Sequence, residues 1–160
     1  MIEHIVAIDE KNGIARDGMI PWDVPEDVQF FREFVADKRL LVGRETYEQI
    51  GRSIGAYMYV VSSHNTIDPP LDSEWGEIVH DLPLFLDSNA DEPLVVIGGQ
   101  GIYRATMHVA TKLHVTHIEG DWQCDRQYPV LPKDFVRTTT SGVIQSRTGA
   151  SFRFETYERV

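Results

Sequence analysis

One acidic side chain lies where the sequence pattern favours an apolar residue. The stretch IPWDVPEDVQFFREF, residues 20–34, predicts a helix over 23–36, with Asp23 as its cap and Pro25 in its first turn. At about 100° per residue, Asp27 projects close to the middle of the apolar face of this helix. That face is formed by Val24, Val28, Phe30, Phe31, Phe34 and Val35.

The position of Asp27 indicates a ligand. A carboxylate in the first turn favours the helix dipole, which accounts for the residue type but not for its place on the apolar face. An unpaired carboxylate on a buried face is costly unless donors bind it. A flat heterocycle with two N–H groups would satisfy both oxygens, and Phe31 and Trp22 would give it apolar walls. We therefore expect Asp27 to face a planar nitrogen heterocycle in a pocket.

Glycines and small polar residues follow three predicted strands. In VVIGGQGIY, Gly98 and Gly99 end a buried strand and open a helix, which lets phosphates approach the backbone. VGRETY repeats the pattern with Arg44, and SSH at residues 62–64 ends a third strand. The glycine spacing is not the full dinucleotide fingerprint, so a tight turn is an alternative, and Arg44 alone could be a solvated helix residue. Because α/β sheets bind ligands at strand carboxyl ends, the three together favour a nucleotide phosphate site.

The composition limits the class of protein. The chain has 160 residues, 42% of them hydrophobic, which suits one globular domain. A formal net charge of −10 at pH 7 argues against nucleic acid or an anionic membrane as the main partner. Cys124 is the only cysteine, so an intrachain disulfide is excluded and a reducing cytoplasm is expected. No signal peptide or membrane span is predicted, because no positively charged start is followed by a long apolar run. No metal site is predicted, because His114 and His117 fall on opposite faces of a strand.

The elements that must position these residues follow an α/β pattern. Short apolar runs alternate with helical segments, and the last two strands form a hairpin with a turn near residues 148–149. This order predicts a mainly parallel central sheet with an antiparallel C-terminal hairpin and about four flanking helices. Residues 9–22 form a long irregular loop, which in a compact domain is usually functional or disordered. The predicted strands are 2–8, 39–43, 56–63, 93–99, 112–118 and the segments DFVRTTTSGVI and SFRFETYER; the predicted helices are 23–36, 44–51, a stretch near 83–88 and one beginning at 100; residues 64–76 are expected to be a turn-rich surface connection.

These segments, in this order, resemble the dihydrofolate reductase family over nearly the whole chain. The matching fragments are IVAI, the PW that ends the long loop, PEDVQFF, VGRETYEQIGR, VIGGQGIY, VTHI, CDRQYPV and FETYER. The resemblance implies one domain over residues 1–160, with an adenosine-binding subdomain over roughly 38–106. It implies an enzyme that reduces 7,8-dihydrofolate to 5,6,7,8-tetrahydrofolate with NADPH as cofactor, by hydride transfer to C6 and protonation of N5. Antifolate inhibitors would bind the same site, and the product would serve one-carbon and thymidylate metabolism.

The resemblance also implies a role for each matching residue of the substrate site. Asp27 would bind the 2-amino group and the adjacent ring nitrogen of the pterin, and Thr116 would support Asp27. Trp22 would hold a water near the substrate, and Tyr103 would flank the nicotinamide. These four side chains form the predicted catalytic group. The predicted substrate-binding residues are Ile5, Ala7, Asp27, Val28, Phe31, Arg32, Ile50, Arg52, Ile97 and Thr116.

The implied cofactor site follows the three strand ends. Gly98–Gly99 would pass along the pyrophosphate, and in this family the bond between these glycines is typically cis. Gly101 stands where some relatives have an arginine for the 2′-phosphate, so the preference for NADPH rests on Arg44, Ser63 and His64. The predicted cofactor-binding residues are Ala7, Ile14, Ile20, Gly43, Arg44, Glu45, Thr46, Ser62, Ser63, His64, Ile97, Gly98, Gly99, Gln100, Gly101, Ile102 and Tyr103.

Three further positions depart from the family pattern. An alignment with one deletion places Ala56 where relatives commonly have an arginine that binds the α-carboxylate of the glutamate tail of folate. Arg32 and Arg52 are the nearest candidates to replace that arginine. Ala15 in the long loop and Cys124 in CDRQYP each replace a customary glycine, which is expected to alter loop closure without abolishing it.

Two other functions stay open at the level of sequence. A reductase of the same fold could act on a riboflavin-pathway pyrimidine or a tail-less pterin, and Ala56 is the only support for it. A non-catalytic module that binds nucleotides or folates would need a broken pocket, whereas Asp27, Trp22, Tyr103 and Thr116 are all present. The expected partners are small molecules, and nothing in the sequence demands more than a monomer.

Overall fold

The structure, a computed structural model, describes residues 1–89 and 91–160. No helix in these two ranges has the length and apolar composition to cross a membrane. The strands in them are β1 (Ile2–Ile8), β2 (Gly13–Ala15), β3 (Arg39–Gly43), β4 (Tyr57–Val61), β5 (Gly76–Val79), β6 (Leu94–Val96), β7 (Ala110–Ile118), β8 (Arg126–Gln127), β9 (Phe135–Thr140), β10 (Ile144–Gln145) and β11 (Ser151–Arg159). The helices are α1 (Pro25–Val35), α2 (Arg44–Ile50), α3 (Leu82–Ser88) and α4 (Gln100–Thr106).

A nine-stranded sheet organises the described part of the chain. Its strand order is β10–β11–β7–β1–β6–β3–β4–β5, and β9 pairs with β11. β1 runs parallel to β6 and β7, β3 runs parallel to β4 and β6, and β5 runs parallel to β4. β11 is antiparallel to β7, β9 and β10. The predicted α/β fold, with a mainly parallel sheet and an antiparallel C-terminal edge, is confirmed.

Apolar side chains cover both faces of the sheet, as expected for parallel strands made of continuous apolar runs. On one face, Ile5 of β1 belongs to a buried cluster that Phe31 of α1 and Ile50 of α2 partly cover. On the other face, Val6 of β1 belongs to a second cluster that includes Tyr103 of α4 and contacts α3. The sheet is therefore a layer between α1 and α2 on one side and α3 and α4 on the other.

Helix α1 begins later than the pattern predicts. Its cap residue is Val24, which makes no side-chain capping bond, so the prediction that Asp23 caps the helix was wrong. Thr148 Oγ1 donates instead to the Asp23 carbonyl at 2.6 Å. Ser146 Oγ donates to Glu26 Oε1 at 2.7 Å. The turn between β10 and β11 thus anchors the start of α1 by long-range contacts, which the local sequence does not encode.

Three further elements differ from the sequence expectations. β5 pairs with β4 where a turn-rich connection was expected up to residue 76; a Cβ on Gly76 would lie 2.3 Å from the Met58 carbonyl oxygen, so this pairing requires glycine. The predicted strand DFVRTTTSGVI is divided into β9 and β10 at Gly142, whose φ is 72°. Part of the predicted irregular loop forms β2, which pairs with β8. The turn predicted near residues 148–149 is present, and Gly149 has a φ of 97°.

Candidate active site

The carboxyl ends of five parallel strands, β1, β3, β4, β6 and β7, meet along one edge of the sheet. The long loop leaves β1 at this edge, and α2 and α4 follow β3 and β6 there. Open α/β sheets bind their ligands outside the carboxyl ends of the strands. The substrate and cofactor residues are therefore expected at this edge.

Asp27 lies in the first turn of α1 and faces β7. Thr116 Oγ1 donates a hydrogen bond to Asp27 Oδ1 at 2.7 Å. Thr116 is 2% exposed and pairs in register with Ala7 of β1. Burial raises the pKa of Asp27 above its ordinary value, and the hydrogen bond from Thr116 opposes this rise. Asp27 Oδ2 accepts no hydrogen bond from any described residue, and Oδ1 has a second lone pair, so both oxygens can accept from a ligand.

The predicted apolar walls of the substrate site fall into two clusters. One cluster contains buried residues of β1 and of the segment after β6, with partly buried residues of α1 and α2 packed on it. The other joins the end of the long loop to β1, β7 and β11. In the first cluster Ile5 and Ile97 are buried, and Phe31 and Ile50 pack on them as partly buried residues. In the second cluster Trp22 is buried, and Ala7 is a partly buried residue packed against the cluster.

Besides Asp27 and Thr116, three predicted substrate residues lie outside these clusters. Val28, next to Asp27 on α1, is 46% exposed, so the predicted apolar arc of α1 is not fully covered by the sheet. Arg32 and Arg52 are exposed and make no hydrogen bond or ion pair with a described residue. The structure leaves both guanidinium groups free to meet an anion, and Ala56 is likewise exposed.

Glycines bring the ends of β3 and β6 together. Gly43 N–H donates to the Gly98 carbonyl at 2.8 Å, and the Gly98–Gly99 peptide bond is cis. A Cβ on Gly99 would lie 2.9 Å from Thr46 Oγ1, and a Cβ on Gly43 would lie 3.2 Å from Ile102 Cγ1. Backbone without side chains, beside a hydroxyl, forms a cradle that fits the phosphates of a dinucleotide.

The side chains predicted to bind the adenosine phosphates differ in how free they are. Arg44 Nη1 donates to Glu48 Oε1 at 2.8 Å, and Arg44 Nη2 lies 4.0 Å from Glu45 Oε1. The positive charge of Arg44 is therefore shared with two carboxylates of its own helix. Ser62 is buried, and its Oγ accepts the His64 backbone N–H at 2.9 Å. The exposed members of the set are Glu45, Ser63 and His64.

Tyr103 is held rigidly beneath the glycine cradle. Its hydroxyl donates to the Ile5 carbonyl at 2.7 Å, and the residue is 4% exposed. Burial raises the pKa of Tyr103 above its ordinary value, so the hydroxyl stays neutral at physiological pH. Ile14 and Ile102 pack against the same buried cluster as Tyr103. Tyr103 and Ile14, two predicted neighbours of the nicotinamide, and Ile102, a predicted cofactor-binding residue, therefore belong to one apolar cluster.

Three other predicted cofactor residues have different surroundings. Gln100 Oε1 accepts the Gln127 backbone N–H at 2.7 Å, which ties the start of α4 to β8. Ile20 is 63% exposed in the long loop. Gly101 is exposed, and a Cβ built on it would have nothing within 4 Å.

Asp9 organises the long loop and was not singled out by sequence reasoning. It is 2% exposed and accepts backbone N–H groups from Lys11 at 2.9 Å, Gly13 at 2.8 Å and Trp122 at 2.9 Å. Burial alone would raise the pKa of Asp9, but these donors, Trp122 foremost, lower it below the ordinary value. The Asp-x-x-Asn-Gly spacing at residues 9–13 is a turn signal, from which the local contacts of Asp9 with Lys11 and Gly13 could have been predicted.

Cys124 stands against the same loop. Its Sγ donates to Asp9 Oδ2 at 3.6 Å, and a Cβ on Gly13 would lie 2.4 Å from Cys124 Cβ. Burial and the neighbouring Asp9 carboxylate raise the pKa of the Cys124 thiol to about 11. The departure from glycine at this position is thus accommodated by Gly13. No group of three or more His, Cys, Asp or Glu side chains suited to a metal ion occurs in residues 1–89 and 91–160.

The fold and this edge define a class of protein, namely α/β proteins that bind ligands across the carboxyl ends of a mainly parallel sheet. Comparison with known families then identifies the family, because the sequence profile described as dihydrofolate reductase matches residues 1–159. The chain belongs to the dihydrofolate reductase family and is an enzyme. The resemblance found in the sequence is confirmed.

Individual relatives agree with this membership. The chain is 31% identical to dihydrofolate reductase type 3 of Salmonella typhimurium over 131 residues, covering 81% of this chain and 78% of that protein. It is 27% identical to dihydrofolate reductase of Bacillus subtilis (strain 168) over 162 residues, covering 99% and 95%. The solved dihydrofolate reductase from Enterococcus faecalis, complexed with NADP(H) and RAB-propyl, has a TM-score of 0.85 and 25% identity, over 99% of this chain and 96% of that one.

Proposed function

We propose that the chain reduces 7,8-dihydrofolate to 5,6,7,8-tetrahydrofolate with NADPH as the hydride donor. The observation that carries this proposal is Asp27, a carboxylate with a raised pKa that Thr116 holds by one oxygen and that offers its other oxygen to a ligand. Family membership and the NADP(H) complex of the Enterococcus faecalis relative support the same reaction. The product serves one-carbon and thymidylate metabolism, and antifolates compete for the same site.

Asp27 binds and orients the pterin. The 2-amino group and the adjacent ring nitrogen of the substrate supply the two N–H donors that a carboxylate can accept side by side. Because Thr116 fixes Oδ1, the carboxylate has one orientation before the substrate arrives. The buried walls formed by Ile5 and Phe31 exclude water, which strengthens the contact between the carboxylate and the heterocycle.

The glycine cradle holds the pyrophosphate of the cofactor. Gly43, Gly98 and Gly99 present backbone without side chains, and Thr46 Oγ1 adds a hydroxyl beside them. Ser63 and His64 receive the 2′-phosphate together with Arg44, whose charge is partly neutralised by Glu48. NADPH, when bound, supplies the hydride that reaches C6 of the dihydropterin. We place this adenosine-binding half over residues 38–106 of a single domain.

Protonation of N5 is assigned to a water rather than to Asp27 directly. The carboxylate is committed to the opposite edge of the pterin by its two donors, so it acts as an electrostatic and orienting group. Trp22 is 7% exposed, and its indole N–H donates to no described residue, which leaves it available to hold that water. We further propose that the enzyme acts as a monomer in the cytoplasm, where a single cysteine suits the reducing conditions.

A second candidate substrate is a dihydropterin without a glutamate tail, because Ala56 supplies no cation and Arg32 and Arg52 are solvated. The test follows NADPH oxidation with 7,8-dihydrofolate and, in parallel, with 7,8-dihydropterin that lacks aminobenzoyl-glutamate. We expect a higher kcat/KM for dihydrofolate than for the dihydropterin without the tail. Equal turnover with both would favour the tail-less reductase, and no turnover with either would favour a binding module. Replacing NADPH by NADH in the same assay measures the contribution of the 2′-phosphate, which we assign to Arg44, Ser63 and His64.

A further inference from the structure

A buried histidine lies behind the proposed nicotinamide site without taking part in the proposed chemistry. His4 of β1 is 0% exposed. Its Nδ1 lies 2.8 Å from the Tyr128 hydroxyl oxygen, and its Nε2 lies 2.8 Å from Thr106 Oγ1. Both ring nitrogens of this imidazole therefore have partners on other elements of the fold.

The direction of these hydrogen bonds follows from Thr106. Thr106 Oγ1 donates its single hydrogen to the Ile102 carbonyl at 2.7 Å, so it accepts from His4 Nε2–H. His4 Nδ1 then carries no hydrogen and accepts from the Tyr128 hydroxyl. Burial favours the neutral imidazole that this arrangement requires. One tautomer of His4 satisfies every polar atom in the series of hydrogen bonds from the Tyr128 hydroxyl to the Ile102 carbonyl.

The two partners of His4 belong to the two elements that carry the proposed walls of the nicotinamide. Thr106 lies on α4, one turn after Tyr103. Tyr128 directly follows β8, which pairs with β2, the strand that contains Ile14. The Tyr128 backbone N–H also donates to the Asn12 carbonyl at 2.8 Å, immediately before β2.

The aromatic rings of the same group form a triangle. Ring centroids lie 5.2 Å apart for His4 and Tyr103, 5.8 Å apart for His4 and Tyr128, and 5.0 Å apart for Tyr103 and Tyr128. Tyr103 is further fixed by the bond from its hydroxyl to the Ile5 carbonyl. A shift of His4 would thus be transmitted to Tyr103 by direct contact as well as through Thr106.

We propose that His4 is a positioning residue that joins α4 to the β2–β8 pair and thereby sets the spacing between Tyr103 and Ile14 around the nicotinamide. This inference rests on the proposed function, because it assumes that these two side chains flank that ring. An apolar side chain could fill the same volume, but it would make neither hydrogen bond. The imidazole accepts from Tyr128 and donates to Thr106 at the same time. The role is therefore geometric and does not involve contact with the substrate.

The test compares binding of the whole cofactor with binding of its adenosine half. His4→Leu removes both hydrogen bonds, and His4→Leu/Tyr128→Phe also removes the hydroxyl that His4→Leu would leave buried without a partner. Dissociation constants are measured for NADPH and for adenosine 2′,5′-bisphosphate, together with thermal midpoints. The double variant is expected to recover the thermal midpoint while NADPH binding stays weakened about tenfold and the bisphosphate binds as in the unchanged protein. His108→Leu, an exposed histidine after α4, is the matched control.

The outcomes separate a positioning role from a structural one. Equal weakening of both ligands, or recovery of NADPH binding together with stability in the double variant, would overturn the inference. If His4→Leu does not fold, Tyr128→Phe alone, which removes one hydroxyl oxygen, is tested in its place. The dissociation constants of NADPH and of the bisphosphate then decide between the two roles in the same way. Turnover of the unchanged protein with dihydrofolate is measured first and tests the proposed function. The inference about His4 depends only on binding differences between variants.

Discussion

Acidification below pH 6.5 should destabilise the protein through His4. Burial holds the pKa of His4 at about 3, below its ordinary value of 6.5. As the pH falls below 6.5, the unfolded chain takes up a proton at this position and the folded chain does not. The proton therefore favours the unfolded state, and the loss of stability begins near pH 6.5 and continues down to about pH 3.

The size of this effect follows from the depressed pKa. One proton bound only by the unfolded chain changes the free energy of unfolding by about 1.4 kcal/mol per pH unit. Between pH 7 and pH 5 the contribution of His4 is therefore about 2 kcal/mol, which is a substantial part of the 5–15 kcal/mol typical of a folded domain. Glu155, whose pKa lies at about 2, adds its own loss only at lower pH, below its ordinary value of 4.5.

The assay is urea denaturation at a series of pH values between 7 and 5. His4→Leu has a lower free energy of unfolding at pH 7, because it leaves the buried Tyr128 hydroxyl without a partner, but its slope against pH should be smaller by about one proton. The slope, not the absolute value, carries the test. His108→Leu, which removes an exposed histidine, should keep the slope of the unchanged protein. Equal slopes in His4→Leu and the unchanged protein would refute the reasoning.

Gly99→Ala and Arg32→Ala probe the cofactor and substrate sites separately, and Gly101→Ala is the comparison for Gly99→Ala. Gly99→Ala places a Cβ 2.9 Å from Thr46 Oγ1 and should raise the dissociation constant of NADPH about tenfold, as measured by fluorescence titration. Gly101→Ala, with nothing within 4 Å of its Cβ, should weaken NADPH less, and equal losses in the two variants would contradict the steric argument. Arg32→Ala should raise the KM for dihydrofolate about two- to fivefold in steady-state kinetics and spare NADPH binding, because an exposed cation contributes little; an unchanged KM would exclude Arg32 as a partner of the glutamate tail.

The sequence pattern predicted the position of Asp27 because that signal is local, whereas the contact of Asp27 with Thr116 was implied only by the resemblance to the dihydrofolate reductase family. The helical period placed Asp27 on an apolar face, and the structure pairs it with Thr116 at 2.7 Å. The apolar strand runs likewise predicted the parallel sheet, whose carboxyl edge collects the glycines. Local periods and turn residues thus predicted the strand runs and the position of Asp27, although Val28 of the same helix face is exposed.

The remaining differences come from contacts between distant segments. The contact that anchors the start of α1 could not be predicted, because Glu26 accepts a hydrogen bond from Ser146, which lies 120 residues away in the sequence. Arg44 was expected to offer a free charge to phosphate, yet Glu48 of its own helix binds it at 2.8 Å. The organising role of Asp9 depends partly on the Trp122 backbone, which only the tertiary fold brings near.

Dihydrofolate turnover by Asp27→Asn at neutral pH tests the central claim most directly. The substitution keeps the size of the side chain but removes the charge that binds two N–H donors, so kcat/KM for dihydrofolate should fall about ten- to a hundredfold while the dissociation constant of NADPH is unchanged. Asp23→Asn, an exposed carboxylate four positions earlier, is the matched control and should keep its activity. An Asp27→Asn variant that turns over dihydrofolate like the unchanged protein would contradict the account.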